Sequence, residues 1–212
     1  MIAQHTVFKD AVAEAHTRRA LPLNPDCVVL NANILIDEIG HTEAMLSGSR
    51  AWAQSHDFSC QANSAKELVL ARAQILVKCE VHTEFFSLTL SAPMADLATA
   101  KSLLASLAGA QGQVGHLISQ CQINVMERDN GEAPCGSVSR QPNPSTAVKV
   151  WLNGRAHVLE TDLLHHDDFV VYQLSVSRRE PERIGRLAQR LLEIETYRNL
   201  AYLAVPMLHT LG

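Results

Sequence analysis

The stretch KCEVHTEFFSLTL, from Lys78 to Leu90, holds the side chains best suited to moving a proton or gripping a metal. In an extended strand Lys78, Glu80, His82 and Glu84 all point to one face. A histidine beside a carboxylate is the pairing that general-base or metal chemistry uses, which makes His82 and Glu84 the candidate catalytic residues. The same spacing also describes an alternating-charge strand face held by cross-strand pairs. His-x-Glu is a common pattern and no second ligand cluster has diagnostic spacing, so neither a metal site nor a cofactor is expected. The apolar parity changes here, from Ile75, Val77 and Cys79 to Phe86, Leu88 and Leu90. A bulge, a turn or two-sided burial must therefore lie near His82.

A second titratable cluster, HHDD at His165 to Asp168, falls between two strand-like runs. Its position favours a hairpin turn over a metal site, because Asp tolerates turn geometry. Ser137 and Ser139 lie in a loop without an assignable histidine or acid. No nucleophile elbow, phosphate-binding loop, dinucleotide fingerprint or His-Glu-x-x-His helix occurs. The third charged group sits on the last helix, where Arg190 with Glu193 and Glu195 with Arg198 stand at i,i+3 spacing. As exposed pairs they would add a few tenths of a kcal/mol each.

These residues need a scaffold. In CVVLNANILID, Val28, Leu30, Ala32, Ile34 and Ile36 share one parity and Asn31 and Asn33 take the other, which predicts a strand with one buried face. A helix over Thr42 to Gln54 follows, then a strand near Phe58 to Gln61. ELVLARAQILVKCEVHTEFFSLTL predicts a meander of two or three strands, PMADLATAKSLLASLAG a helix ending on glycine, and VGHLISQCQINVM a strand with Leu117, Cys121, Ile123 and Val125 on one side. The order β-α-β-β(-β)-α-β over residues 1–130 suits a ferredoxin-like α+β arrangement with an antiparallel or mixed sheet.

Residues 131–146 form a Gly/Pro/Asn/Ser-rich loop. Residues 147–212 supply β-hairpins, one turning at Asn153-Gly154 and one at His165 to Asp168, then a long C-terminal helix from Pro181. The two parts are expected to pack as one domain. Phe8 to Ala20 is expected to form a short helical or partly ordered arm, closed by LPLNPD. Beyond Arg198 the last helix, NLAYLAVPMLHTL, has almost no polar face. It must be buried in its own fold or against a partner, or else stay as an interaction patch.

Composition sets the class. The 212 residues carry 47% apolar and 19% charged side chains and a net charge of −4. That is globular and lacks the clustered Lys and Arg of a nucleic-acid footprint, Arg18-Arg19 and Arg178-Arg179 being short surface pairs. The five cysteines are odd in number, without a C-x-x-C pair, and suggest no disulfide framework. No secretory signal and no membrane-spanning run is evident, which points to the cytoplasm.

GRLAQRLLEIETYRNLAYLAVP resembles the signature helix of a bacterial family of predicted membrane-anchored proteins, domain-of-unknown-function family 3422. KCEVHTEFFSLTL, EAHTR (Glu14 to Arg18) and HHDDF resemble three further stretches of that family, in order along the chain. The chain departs from the pattern at Cys79 and Val81, at Glu180-Pro181, which lacks the hydroxyl cap, and at Asp168, which takes a turn glycine's place. The resemblance implies a soluble head domain on the cytoplasmic side of the inner membrane, reaching the membrane only through a C-terminal extension. It carries no chemistry with it; the leading expectation is interaction or assembly without catalysis, through a protein partner or self-association along the last helix. On that expectation Arg190, Glu193, Glu195 and Arg198 meet His16 and Arg18 of the arm or Lys78, Glu80, His82 and Glu84 of the strand. The alternative is a metal- or general-base-dependent enzyme using His82 and Glu84.

Overall fold

The structure is a computed structural model that describes residues 20–36, 41–111, 115–128, 147–152, 157–177 and 180–209, with side chains of the last helix described as far as Leu203. The expected N-terminal arm, the 131–146 loop and the Asn153-Gly154 turn lie outside the described residues. The elements are β1 (Cys27–Ile36), α1 (His41–Ser55), β2 (Ser59–Asn63), β3 (Glu67–Arg72), β4 (Ile75–Val81) and β5 (Phe85–Pro93). A 3-10 turn (Met94–Asp96) then leads into α2 (Leu97–Gly109), β6 (Gly115–Glu127), β7 (Val148–Leu152), β8 (His157–His166), β9 (Phe169–Val176) and α3 (Pro181–His209).

All strands join one nine-stranded mixed sheet in the order β2-β3-β4-β5-β1-β6-β9-β8-β7. β1 pairs antiparallel with both β5 and β6, so β5-α2-β6 straddles it. This split β-α-β is the ferredoxin-like arrangement, with its hairpin lengthened into the β2–β5 meander. β6 and β9 pair in parallel, which carries the β7–β9 strands onto the same sheet. The protein is thus α+β, with helices on both faces of the sheet.

The helices follow their apolar stripes. α1 buries Met45, Leu46, Ser49, Trp52 and Ala53, and α2 buries Ala100, Leu103, Leu104 and Leu107, both at three- and four-residue spacing. They cover the face carrying Val28, Leu30, Ala32, Ile34, Leu88 and Leu90. α3 covers the other face, packing Ile184, Ala188 and Leu192 on Val29, Ile123, Val125, Tyr172 and Leu174. Because helices sit on both sides, β1 is buried on both, which corrects the one-sided expectation. Asn31 and Asn33 are 2% and 1% exposed. Leu117 is also corrected: it is exposed, because the β1–β6 register shifts between Asn33 and Ile34 and rotates the strand end outward.

The hairpin at HHDD is narrower than expected. Asp167 and Asp168 alone form the turn, with φ of 49° and 71°, the left-handed values a tight two-residue hairpin requires. His165 and His166 belong to β8, and His166 Nε2 lies 2.8 Å from Asp162 Oδ2.

α3 opens at Pro181 as its sequence predicts, and the chain from Ala20 to Leu23 crosses it closely. Leu23 N donates to Pro181 O at 3.1 Å, and a Cβ on Gly185 would stand 2.0 Å from Leu21 O. Alanine normally suits a helix better than glycine by about 1 kcal/mol. Here the backbone contact outweighs that gain. Gly185→Ala is expected to cost about 1–3 kcal/mol, seen as a lower urea midpoint. A raised midpoint would show that the crossing segment yields freely.

Candidate functional site

The sheet face beneath α3 changes character from one side to the other. Under β6 and β9 it is apolar; toward β5 and β4 it becomes a row of polar side chains. Register places Glu67, Glu80, Ser87, Asn33 and Ser119 side by side across β3, β4, β5, β1 and β6. Glu67 directly opposite Glu80 would be repulsive. Lys78 resolves this, its Nζ lying 3.3 Å from Glu67 Oε2 and 2.7 Å from Glu80 Oε1 with the side chain only 4% exposed.

Two asparagines tie the row to the helix. Asn31 Nδ2 donates to Ser87 Oγ, Leu88 O and Thr89 Oγ1 at 3.0–3.1 Å. Asn33 Nδ2 reaches Asn31 Oδ1, Ser119 Oγ and Thr196 Oγ1 at 2.7, 2.8 and 2.7 Å. Thr196 donates onward to Leu192 O. Such bonds are directional, so they set the rotation of α3 about its own axis in a way that apolar contact alone does not.

One residue before Thr196, Glu195 is 1% exposed. Its Oε2 accepts from the Tyr172 hydroxyl at 2.9 Å, and its Oε1 accepts from Arg198 and from Asn199 Nδ2. Burial, and then the neighbouring Glu195 charge, push the Tyr172 hydroxyl well above its ordinary pKa.

Between α3 and the β4–β5 hairpin runs a cleft. Its apolar end is lined by Leu21, Leu23, Val29 and Ala188, its polar end by Asn31, Glu80, His82, Glu193, Thr196 and Tyr197. The polar end encloses about 360 Å³, including space open to solvent. His82 stacks on Phe85 with ring centroids 3.9 Å apart, and Phe85 meets Tyr197 edge-on.

The sequence candidates are therefore placed as follows. Lys78 and Glu80 share a face, and Glu80, His82 and Glu193 line one cleft. Glu84 does not share that strand face. β4 ends at Val81, His82 N bonds Phe85 O across a tight turn, and this turn is what reverses the apolar parity. Glu84 is exposed there, and no ion pair or side-chain hydrogen bond holds it among the described residues. Arg190 is exposed and does not pair with Glu193, which accepts instead from Gln189 Nε2 at 3.0 Å. Glu195 and Arg198 do pair at i,i+3. His16 and Arg18 lie outside the described residues. Among the described residues no group of three or more His, Cys, Asp or Glu is gathered as a metal would need.

Sequence reasoning missed Tyr172, Asn31, Asn33, Ser119, Thr196 and Asn199. The available signal was the pair of asparagines in a run otherwise apolar on both parities. α3 also leaves Ile194, Tyr197, Tyr202 and Leu203 exposed. Among the described residues no helix is long and apolar enough to cross a membrane.

A family model described as "Protein of unknown function (DUF3422)" matches residues 3–212. No curated protein matches the chain.

Proposed function

The chain belongs to the DUF3422 family, whose function is unknown, and we propose from its own surfaces that it is an interaction or assembly domain without catalysis. In this reading it is the soluble head of a membrane-anchored bacterial protein, on the cytoplasmic side of the inner membrane, joined to the membrane by a C-terminal extension. One observation carries the proposal. α3 is held by buried, directional hydrogen bonds from Asn33 and Tyr172, and along its second half it leaves Ile194, Tyr197, Tyr202 and Leu203 exposed. Large apolar side chains left exposed along a fixed helix are the composition of a protein contact.

The test is in-cell photo-cross-linking of the whole protein in its native host. A photoreactive residue replacing Tyr202 is expected to yield a discrete protein adduct, and one replacing Gln61 on the polar sheet edge is not. No adduct at Tyr202, or equal adducts at both positions, would rule against the helix as the contact.

A second reading, a general-base or metal-dependent enzyme, draws on His82 lining a polar cleft with Glu80 and Glu193. It requires a pH-dependent turnover that His82→Ala abolishes while the fold persists. Glu84 itself is exposed in the turn after β4 and is not among the residues lining that cleft.

A further inference from the structure

The nine-stranded sheet has two edges, and they are built differently. β2 at one edge reads SCQAN, every residue exposed, with its register to β3 broken between Cys60 and Ala62. A polar, bulged edge resists pairing with another strand. β7 at the other edge reads VKVWL, and its register to β8 runs unbroken from Val148 opposite Thr161 to Leu152 opposite His157. Val148, Val150 and Trp151 are all exposed. Among the described residues no bulge or proline interrupts this edge, and its one charge, Lys149, is paired with Glu160 of the neighbouring strand.

The interior apolar layer also runs out to this edge. Register aligns Val125, Leu174, Leu159 and Val150 across β6, β9, β8 and β7. The first two are fully buried, Leu159 is 9% exposed and Val150 is 40% exposed. The row that forms the core beneath α3 thus ends on an open valine.

We propose that β7 pairs with β7 of a second copy of this chain, antiparallel about a two-fold axis at Val150, joining two sheets into one. The strand's own sequence supports this occupant. With Val150 opposite Val150 of the copy, Val148 falls opposite Leu152 and Lys149 opposite Trp151. No like charges meet. Lys149 instead faces an indole, a favourable cation–π pairing. Within the chain Trp151 already accepts cations, with Arg128 at 4.8 Å and Lys149 at 5.8 Å from its ring centroid. Glu160 lies 2.6 Å from Lys149 Nζ and offsets its charge. A two-fold pairing centred on one residue is isologous and closes at the dimer, so it caps the edge and does not propagate.

The test uses the whole 212-residue chain in sedimentation equilibrium. A mass of twice 23.3 kDa is expected at micromolar concentration. Val150→Lys sets two ammonium groups face to face on the axis at a solvent-exposed position, so the fold survives. It should raise the dissociation constant at least about tenfold with an unchanged circular dichroism spectrum. In a Cys60→Ser background, Val150→Cys should form an intermolecular 150–150 disulfide on mild oxidation. A monomeric parent chain overturns the proposal. So does a dimer that Val150→Lys leaves intact but Ile194→Lys dissociates, since α3 would then hold the copies together.

Discussion

Arg198→Ala is expected to lower the unfolding free energy by about 3–5 kcal/mol, far more than a surface helix pair loses. The reason is the asymmetry between the two partners. The Glu195 side chain is 2% exposed and that of Arg198 is 30% exposed. Removing the arginine strands a carboxylate under α3 with only Tyr172 and Asn199 as donors. Removing the glutamate leaves a guanidinium that water can still reach. Glu195→Ala should therefore be the milder change, at about 2 kcal/mol, mainly from the unpaired Tyr172 hydroxyl and the space vacated. Adding Glu195→Gln to Arg198→Ala should restore part of the loss by removing the stranded charge. Urea unfolding of the four proteins checks the order; equal costs for the two alanine variants would mean that Glu195 is solvated in solution. Desolvating the pair offsets most of its attraction, so the network orients α3 more than it adds net stability.

The second large effect is alkaline. Burial, the dominant cause, raises Cys79 from the ordinary 9.0 to about 12, and it raises Cys121 well above 9.0 with Glu195 adding to it. In the fold these thiols stay protonated, whereas in the unfolded chain they lose their protons near pH 9. The unfolded state then binds fewer protons, and stability falls as pH rises. The contribution is complete below about pH 9 and is lost progressively toward the folded pKa. Each thiol adds a slope of about 1.4 kcal/mol per pH unit. From pH 9 to pH 11 Cys79 alone should remove about 2 kcal/mol, and Cys121 deepens the fall in the same direction. Urea midpoints across that range should fall steeply, and Cys79→Ala with Cys121→Ala should flatten the curve, although both variants start lower because of the cavities they leave. A flat parent curve would show that these thiols ionise without unfolding. Cys60, exposed on β2, should be the described cysteine that alkylates first in the native protein.

Much of this architecture was legible in one dimension. The period-two runs located β1, β4, β5, β6 and β9, the Ala/Leu spacing located α2, and Pro181 marked the start of α3. The parity change near His82 was correctly located, and its cause, a turn and not a bulge, came from the His82–Phe85 backbone bond. The Glu195–Arg198 pair was visible at i,i+3 spacing, but its burial was not. That burial raises its expected effect from tenths of a kcal/mol to several.

What the chain determined alone is local: alternation, helical stripes, caps and turn residues act between near neighbours, so they survive in the order of letters. The α+β class and the apolar character of the last helix beyond Arg198 follow from these. What only the tertiary structure decided is which face of each element meets another. Asn31 and Asn33 became buried because β1 lies mid-sheet with α1 and α2 on one side and α3 on the other. Lys78 became a buried bridge because β3 registers Glu67 opposite Glu80. β7 became an edge because β6 pairs with β9 in parallel and sends β8 and β7 outward. Long-range pairing depends on the summed burial of distant segments, a quantity that no single stretch of sequence carries.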